Sequence, residues 1–597
     1  MAATLELIWL RRLLLLLLAS ACLIVLPKRT SGQFLPVGIQ WLPPGILPPP
    51  PAAGHSNTAG IAAPALLPPV GSPGAGIKVR LTRKGLDYFR EFTMQSLNHN
   101  LKHLQVREWK VNASVLGIPG NDLAVLRDAR VTSYVAPSRY ALQTARPNKL
   151  VWMINGIGMG TTGTFDLFSR SSDGSKSTLG LEIQAGFVSS FSGLNLRVII
   201  TMLRQKSDNT LRLHVEKCDS QISGPLHIQL TSKSDPDLQE TLQVLTPLVR
   251  AEFNKVFRMQ ICEIGKKFIE HELSDLLNDY SSNVAFQTKA EKEQQLDQLL
   301  QEETSFMFPW KEIDNFLIDA GLVANPTATE QYLETSHRGL VRHRLDRPEF
   351  LPASLVPPAP LPPMPFASSK MLQVMVSDYV LNTFSQSAFG HRLLRANISA
   401  RSHPQVREEL RIHCPSQDRC LGNALPALRQ KFPRSARTAK ILLSATSAPT
   451  FAFRPDGFVA VKLFGAFKAR VASQPLLTAD FELHCRASVA FVEQRIRGKV
   501  RIDSLNLTIN ESSIPVDAKA KEDIGQFALF IFEKLISDDL ANGVPMPLIS
   551  KVQMENSEVT VLNHAMLLTT DIRVDEQMTR NLVAQAIQRH FGGNISA

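Results

Sequence analysis

The run Gly158-Met159-Gly160-Thr161-Thr162-Gly163 has the glycine spacing of a dinucleotide-binding turn. That chemistry needs a helix to begin at the glycines, so that its first backbone N–H groups meet the pyrophosphate. The residues that follow, Thr164 to Ser169, read as a strand, and no βαβ unit surrounds them, so the glycines are expected in a flexible strand instead. His413 beside Cys414, with His403 upstream, offers metal-ligating atoms at a spacing that matches no common site. Neither a Gly-X-Ser-X-Gly elbow nor a His-Glu-X-X-His helix occurs. The expectation is a chain with no catalytic residues, no metal and no cofactor.

The N-terminus carries an address. Arg11 and Arg12 precede the apolar run Leu13 to Leu18, and Ala19-Ser20-Ala21 offers small residues for cleavage, the layout of a secretory signal peptide over residues 1–32. An uncleaved anchor is the alternative, but the apolar stretch stops at Pro27-Lys28-Arg29 and is short for a membrane span of about 20 residues. Removing the leader takes Cys22 with it and leaves Cys218, Cys262, Cys414, Cys420 and Cys485, an odd set in an oxidising compartment. Cys414 and Cys420 bracket a short loop that could close on itself, leaving Cys485 single; a bond from Cys485 to either is the competing arrangement. Asn112, Asn397, Asn506, Asn510 and Asn594 each begin an Asn-X-Ser/Thr triplet, which an exported chain can use for glycosylation. A net charge of +11 invites an anionic partner, a lipid surface or a nucleic acid. Export, the sequons and the lack of a nucleic-acid motif argue against the second.

At 597 residues the chain exceeds one hydrophobic core. A strand running into Asp-Tyr and an amphipathic helix occurs twice, as IKVRLTRKGLDYFREF with Asp87 and Tyr88, and as MLQVMVSDYVLNTF with Asp378 and Tyr379. The chain therefore reads as two related halves in tandem. In the first, Leu86, Phe89, Leu97, Leu101 and Leu104 keep to one helical face. Leu179 to Phe187, Leu211 to Val215 and Leu226 to Leu230 then alternate apolar and polar with period two, as antiparallel strands curled over a helix do. Ser234-Asp235-Pro236 starts a helix that carries the chain past Cys262 to Tyr280, and KAEKEQQLDQLLQEE follows as a solvated charged stretch. In the second half a short helix is expected between Leu421 and Phe432, a strand pair turned at Pro455-Asp456-Gly457, and a helix with Ile524, Phe527, Ile531 and Leu535 on one face that ends near Gly543.

GIKVRLTRKGLDYF, IDNFLIDAGLVANPTATEQYLE, MLQVMVSDYVLNT and ILLSATSAPTFAFRPDGF, in this order, resemble the bactericidal/permeability-increasing and lipopolysaccharide-binding protein family, which includes the plasma phospholipid and cholesteryl ester transfer proteins. The resemblance runs from about Gly76 to about Ile572 and implies an α+β fold. It predicts two pseudosymmetric barrels, antiparallel strands wrapped on long helices, joined by a central sheet into a boomerang. The expected divisions are a Pro-rich spacer over 33–76, a lipid-binding barrel over 77–346, a Pro-rich linker over 347–366, a second barrel over 367–572 and an extension over 573–597.

The resemblance also implies a bond between Cys218 and Cys262, because the family has one such bond at the matching places of its first barrel. It implies an apolar cavity in each barrel that takes phospholipid acyl chains. Leu97, Leu101, Ile264, Phe268, Leu381 and Phe384 are the candidate lining residues, with plain core packing as the equal alternative. Lipopolysaccharide recognition in the family is attributed to lysines and arginines on the tip loops of the first barrel. The matching loop Val115 to Asp122 holds no Lys or Arg, and Ser169 to Lys176 offers only Arg170 and Lys176 around Asp173. Arg127, Arg130, Arg139, Arg146 and Lys149 lie nearby in sequence. The expected function is a secreted, non-enzymatic lipid binder, with phospholipid or another amphipathic lipid as partner and lipopolysaccharide or anionic membranes as further ones; a phospholipid or sterol-ester carrier without an immune role is the alternative.

Overall fold

The structure, a computed structural model, describes residues 74–103, 105–112, 123–169, 180–232, 235–274, 284–285, 315–346, 358, 360–365, 368–433, 438–493, 495–545 and 552–574. The leader, nearly all of the Pro-rich spacer, the loop Val115 to Asp122, Arg170 and Lys176, the charged stretch after Tyr280, the extension beyond Val574 and Asn594 lie outside the described residues.

The first half opens with β1 (Ile77–Thr82) and α1 (Arg83–Lys102). Seven strands follow: β2 (Gln105–Asn112), β3 (Leu123–Val135), β4 (Arg139–Ala145), β5 (Lys149–Ser169), β6 (Gly180–Arg204), β7 (Leu211–Ile222) and β8 (Leu226–Thr231). They form one antiparallel sheet in the order β2-β3-β5-β6-β7, with β4 beside β5 and β8 beside β6. The glycine run at 158–163 lies inside β5, where Gly160 pairs with Ser133 on one side and Ser190 on the other. Asp235 then caps α2 (Pro236–Lys267), its Oδ1 accepting from the N–H groups of Asp237 and Leu238. A π-helical turn, Phe268–Leu273, continues α2. The short strands β9 (Val284–Ala285), β10 (Phe316–Asp319), β11 (Thr327–Ala328), β12 (Tyr332–His337) and β13 (Leu340–His343) close this half.

The second half repeats the opening with β14 (Leu372–Ser377) and α3 (Asp378–Gly390), where the Ser377 hydroxyl caps the helix by accepting from the Tyr379 N–H. Next come β15 (Arg395–Ile398), the short helices α4 (Leu421–Ala424) and α5 (Pro426–Lys431), β16 (Lys440–Ala445), β17 (Thr450–Phe453), β18 (Val459–Val471), β19 (Gln474–Val492) and β20 (Arg495–Ser512). The long helix α6 (Ala518–Asn542) ends at Gly543, whose φ of +77° suits a residue without a Cβ. It is followed by β21 (Val544–Pro545), β22 (Val552–Leu562) and β23 (Ala565–Val574). A second antiparallel sheet runs β15-β16-β18-β19-β20-β21, with β17 on β18.

The halves meet in a third sheet, ordered β11-β12-β1-β14-β23-β22. Its middle pair is the repeated strand against its own copy, β1 antiparallel to β14, with Ile77 opposite Val376, Val79 opposite Val374 and Leu81 opposite Leu372. Val79, Leu81, Leu372 and Val374 join a core that also takes Leu86 and Phe89 from α1, Leu213 and Val215 from β7 and Leu568 from β23. On the other face lies Arg80, only 5% exposed. Its guanidinium donates to Glu334 Oε2 at 2.6 and 2.9 Å, sits 4.0 Å from the centre of the Tyr332 ring, and donates to the carbonyl oxygens of Met364 and Pro365, both at 3.2 Å. Leu361 and Met364 of the Pro-rich segment pack there with Met375 and Leu567. The linker thus lies on the central sheet, fastened by a buried cation.

Cys218 and Cys262 are bonded, with Cα atoms 5.7 Å apart, so β7 is stapled to α2. Cys414 is bonded to Cys420, and Cys485 is the free, buried thiol among the described cysteines. Burial, with Asp503 adding to it, pushes the Cys485 thiol up to about 12.

Three outcomes follow from this packing. Arg80→Ala leaves Glu334 without its partner under the linker and is expected to lower the unfolding free energy by about 3 kcal/mol in a urea titration, the usual cost of breaking a buried pair. Cys262→Ser opens a loop of 44 residues, and is expected to cost about 2–4 kcal/mol by the same measurement. The thiolate is the reactive form of cysteine. Iodoacetamide at pH 8 should therefore leave Cys485 unmodified in native protein and alkylate it once the protein is denatured; native labelling within minutes would refute the burial.

Candidate functional site

α6 lies along the sheet of the second half and presents Ile524, Phe527, Ala528, Ile531 and Phe532, a spacing that puts all five on one helical face. Opposite stand Ile441 and Leu443 of β16, Phe467 and Ala469 of β18 and Leu477 of β19. Between helix and sheet is a cavity of ≈ 40 Å³ with wholly apolar walls. That space holds little more than one water-sized group. Its inner wall is fixed by alternation, since Leu463, Phe467, Phe481 and Leu483 occupy every second position of their strands and are buried. A lateral tie holds the helix in place: Lys534 Nζ lies 2.8 Å from Glu409 Oε1.

Of the six residues named from the sequence for a cavity in each half, Leu97, Leu101, Leu381 and Phe384 pack in four different clusters, and the side chains of Ile264 and Phe268 lie outside the described ones. Leu97 packs at the edge of a cluster with Met94, Phe191, Leu194 and Ile261 between α1, α2 and the first sheet. Leu101 is half-buried against the core that surrounds β1. Phe384 is buried with Phe316 and Val341, their rings 4.7 Å apart in the case of Phe316. Leu381, on the same helix, turns to a different cluster around Phe453 and Val561. Ile264 lies in α2 and Phe268 opens the π-helical turn. The α6 face was visible in the sequence as a stripe at helical spacing. Nothing in that stripe marked it out from the faces of α1 and α3, because periodicity reports burial and not the size of the gap beside it.

Polar clusters of chemical type are structural in arrangement. Ser387 Oγ donates to Asp346 Oδ2 at 2.6 Å, and His391 Nε2 stands 2.6 Å from Asp346 Oδ1. The carboxylate lies between serine and histidine, so the imidazole has no path to the hydroxyl and the set is no nucleophile–base pair. Burial pushes the Asp346 carboxyl up, but hydrogen bonds from Ser387, His391 and the His343 N–H outweigh it and hold the group below the usual carboxylate value. These bonds fasten the start of the linker to α3. His413 Nε2 is 2.7 Å from the Phe432 carbonyl, and among the described residues no three His, Cys, Asp or Glu side chains converge as metal ligands. Of the cations grouped near the tip loops in sequence, Arg127 on β3 pairs with Asp166 at 3.3 Å, whereas Lys149 stands at the end of β5 away from Ser169 and pairs with Glu216 at 2.7 Å. Arg146 lines an open cleft of ≈ 560 Å³ with Asn148 and Asn325.

Of the sequon asparagines, Asn112 ends β2, Asn397 is exposed on β15, and Asn506 and Asn510 are exposed on β20. Asn510 donates to Asp480 at 2.9 Å.

Among the described residues no helix is long and apolar enough to cross a membrane. Residues 311–574 match the model of the LBP / BPI / CETP family, C-terminal domain. Human lipopolysaccharide-binding protein is 23% identical over 381 residues, covering 62% of this chain and 70% of that protein. The bactericidal permeability-increasing protein of Sebastes schlegelii is 23% identical over 523 residues, 85% of this chain and 97% of that one. A crystal structure of lipopolysaccharide binding protein aligns over 84% of this chain and 99% of its own at 16% identity, with a TM-score of 0.43. The family match begins at residue 311, upstream of the linker, and so takes in β10 to β13 as well as the second half. Residues 311–574 thus match the C-terminal domain of the LBP / BPI / CETP family, and proteins named for that family are similar to the chain along most of its length.

Proposed function

We propose that this protein is a secreted lipid binder of two barrels joined at the central sheet into a boomerang, holding acyl chains in apolar grooves between long helix and curved sheet. The observation that carries the proposal is the seam under α6, where every wall residue is apolar and the helix is bound to the sheet mainly by side-chain packing. Burying each methylene of an acyl chain contributes about 0.8 kcal/mol, so a chain that lifts α6 outward can replace the contacts it breaks. The relatives support a lipid as ligand, since one is named for binding lipopolysaccharide. Recognition of lipopolysaccharide by clustered cations on the first tip is the weaker part of the reading, because Arg127 is already paired with Asp166 and Lys149 stands at the end of β5 away from the Ser169 loop.

The groove is therefore expected to decide lipid content. Native mass spectrometry of the purified protein should show co-purifying phospholipid, and Ala528→Trp, which fills the seam from α6, should lower its occupancy at a stability cost of about 1–3 kcal/mol. Phospholipid at full occupancy in a folded Ala528→Trp protein would place the lipid elsewhere. Protein that never carries lipid would refute the binder outright. Movement of labelled phosphatidylcholine between vesicles, insensitive to salt, would make it a carrier.

A further inference from the structure

The outward face of β20 is divided in two. From the β19–β20 turn inward, Arg495, Arg497, Lys499 and Arg501 occur at every second residue, which the pleat places on one face. Past the register shift opposite His484 and Cys485, that face carries Ser504, Asn506, Thr508 and Asn510, none of them charged. The other face belongs to the core: Val500, Ile502, Leu505 and Leu507 pack beneath it, and a Cβ on Gly498 would meet Leu540 of α6. Lys499 and Arg501 are thus turned away from the groove and toward solvent, while Arg495 and Arg497 are part-buried beside Gly543, Arg495 donating to its carbonyl.

Their pairing leaves positive charge over. Arg497 is held by Glu493 at 2.6 Å, and Arg486 of β19, directly opposite Arg501, is held by Asp503 at 2.8 Å. Lys499 and Arg501 are exposed and make no ion pair among the described residues. Two turns close this end of the sheet. Each carries a part-exposed apolar side chain, Phe458 at 37% exposure between β17 and β18, beneath the Arg486 guanidinium, and Val492 at 41% at the end of β19. Arg454 lies exposed in the first turn.

We propose that this end of the second-half sheet docks the protein on a lipid surface carrying anionic headgroups. Exposed cations would pair with the phosphates while Val492 and Phe458 enter the interfacial layer, a combination that suits a membrane surface better than a soluble polyanion, which has no apolar layer to receive them. The two sequons on β20 lie on its uncharged half, so glycans there would leave the basic end clear. The choice of a lipid rests on the lipid-binding reading above; the face itself is separate from the groove.

Sedimentation of the full-length protein with vesicles tests it. Binding is expected to vesicles of equal parts phosphatidylcholine and phosphatidylserine, to be absent with phosphatidylcholine alone, and to fall as salt rises. Lys499→Gln with Arg501→Gln should weaken it about tenfold or more, and Val492→Asp should weaken it too. The matched pair Lys468→Gln with Arg470→Gln removes the same charge at the far end of β18 and should leave binding nearly intact. Equal loss from both pairs would mean net charge alone and overturn the proposal. So would failure to bind anionic vesicles, or binding to a sulfated polysaccharide with none to vesicles. Lipid occupancy by mass spectrometry should be unchanged in the β20 pair. Vesicle binding that persists in a lipid-free protein would leave the docking face standing while the groove reading fell.

Discussion

The antiparallel pairing of β1 with β14 is the constraint from which the rest of the architecture follows. Two copies of one strand lie side by side in opposite directions, so the helices that continue them, α1 and α3, leave the central sheet toward opposite ends. Each half must then build its own large sheet on its own side. The tyrosine of each Asp-Tyr pair crosses to the other half. Tyr88 accepts a hydrogen bond from the Val574 N–H at the end of β23, and Tyr379 is partly buried and near enough to Arg338 and Asp319 for their charges to act on it, its hydroxyl pushed up to about 12 mainly by loss of solvent. The repeat thus preserves the residues that hold one half to the other.

That central sheet is covered on both faces, which explains its composition. Val79, Leu81, Leu372 and Val374 bury one side in core, while Arg80 and Gln373, both nearly inaccessible, lie under the Pro-rich segment. A proline-rich strand cannot supply many N–H donors to its neighbours, but its carbonyls still accept. Arg80 and Gln373 donate to them, Gln373 Nε2 reaching the Pro365 carbonyl at 3.3 Å. A polar pair in the midst of a sheet is therefore the means by which a segment without regular hydrogen bonding is held in register.

Much of this was legible in the residues. The repeated strand-to-helix unit, the alternation of β6, β7 and β8, the Asp235-Pro236 helix start and the Gly543 stop are local signals, and the structure places elements there. The glycine run at 158–163 read as strand because nothing helical followed it, and it lies within β5. Less accessible was anything that depends on which faces meet. Leu381 and Phe384 are one turn apart on α3 yet enter separate clusters, since α3 packs between two sheets. The tether of Asp346 to Ser387 and His391 joins residues about forty apart through a turn that no pattern announces. The basic alternation of Arg495, Arg497, Lys499 and Arg501 has no meaning until it is known which side of β20 the helix covers.

One strand, β20, consequently serves two environments through its period of two. Its inward residues complete the apolar wall behind α6, and its outward residues carry the surplus cations, so the same backbone fixes the orientation of apolar seam and charged face relative to each other. A one-residue slip would exchange them, placing arginines against Leu535 and Leu540 and valine and isoleucine in water. The register with β19 resists such a slip along its length, from Val492 opposite Arg495 to Leu477 opposite Ser512, with shifts at two positions that curl the sheet without reversing its faces. The cost of the wrong register is the burial of several unpaired charges, which far exceeds what any single side chain contributes to the right one. Placement of the basic face is thus enforced by the core it does not touch.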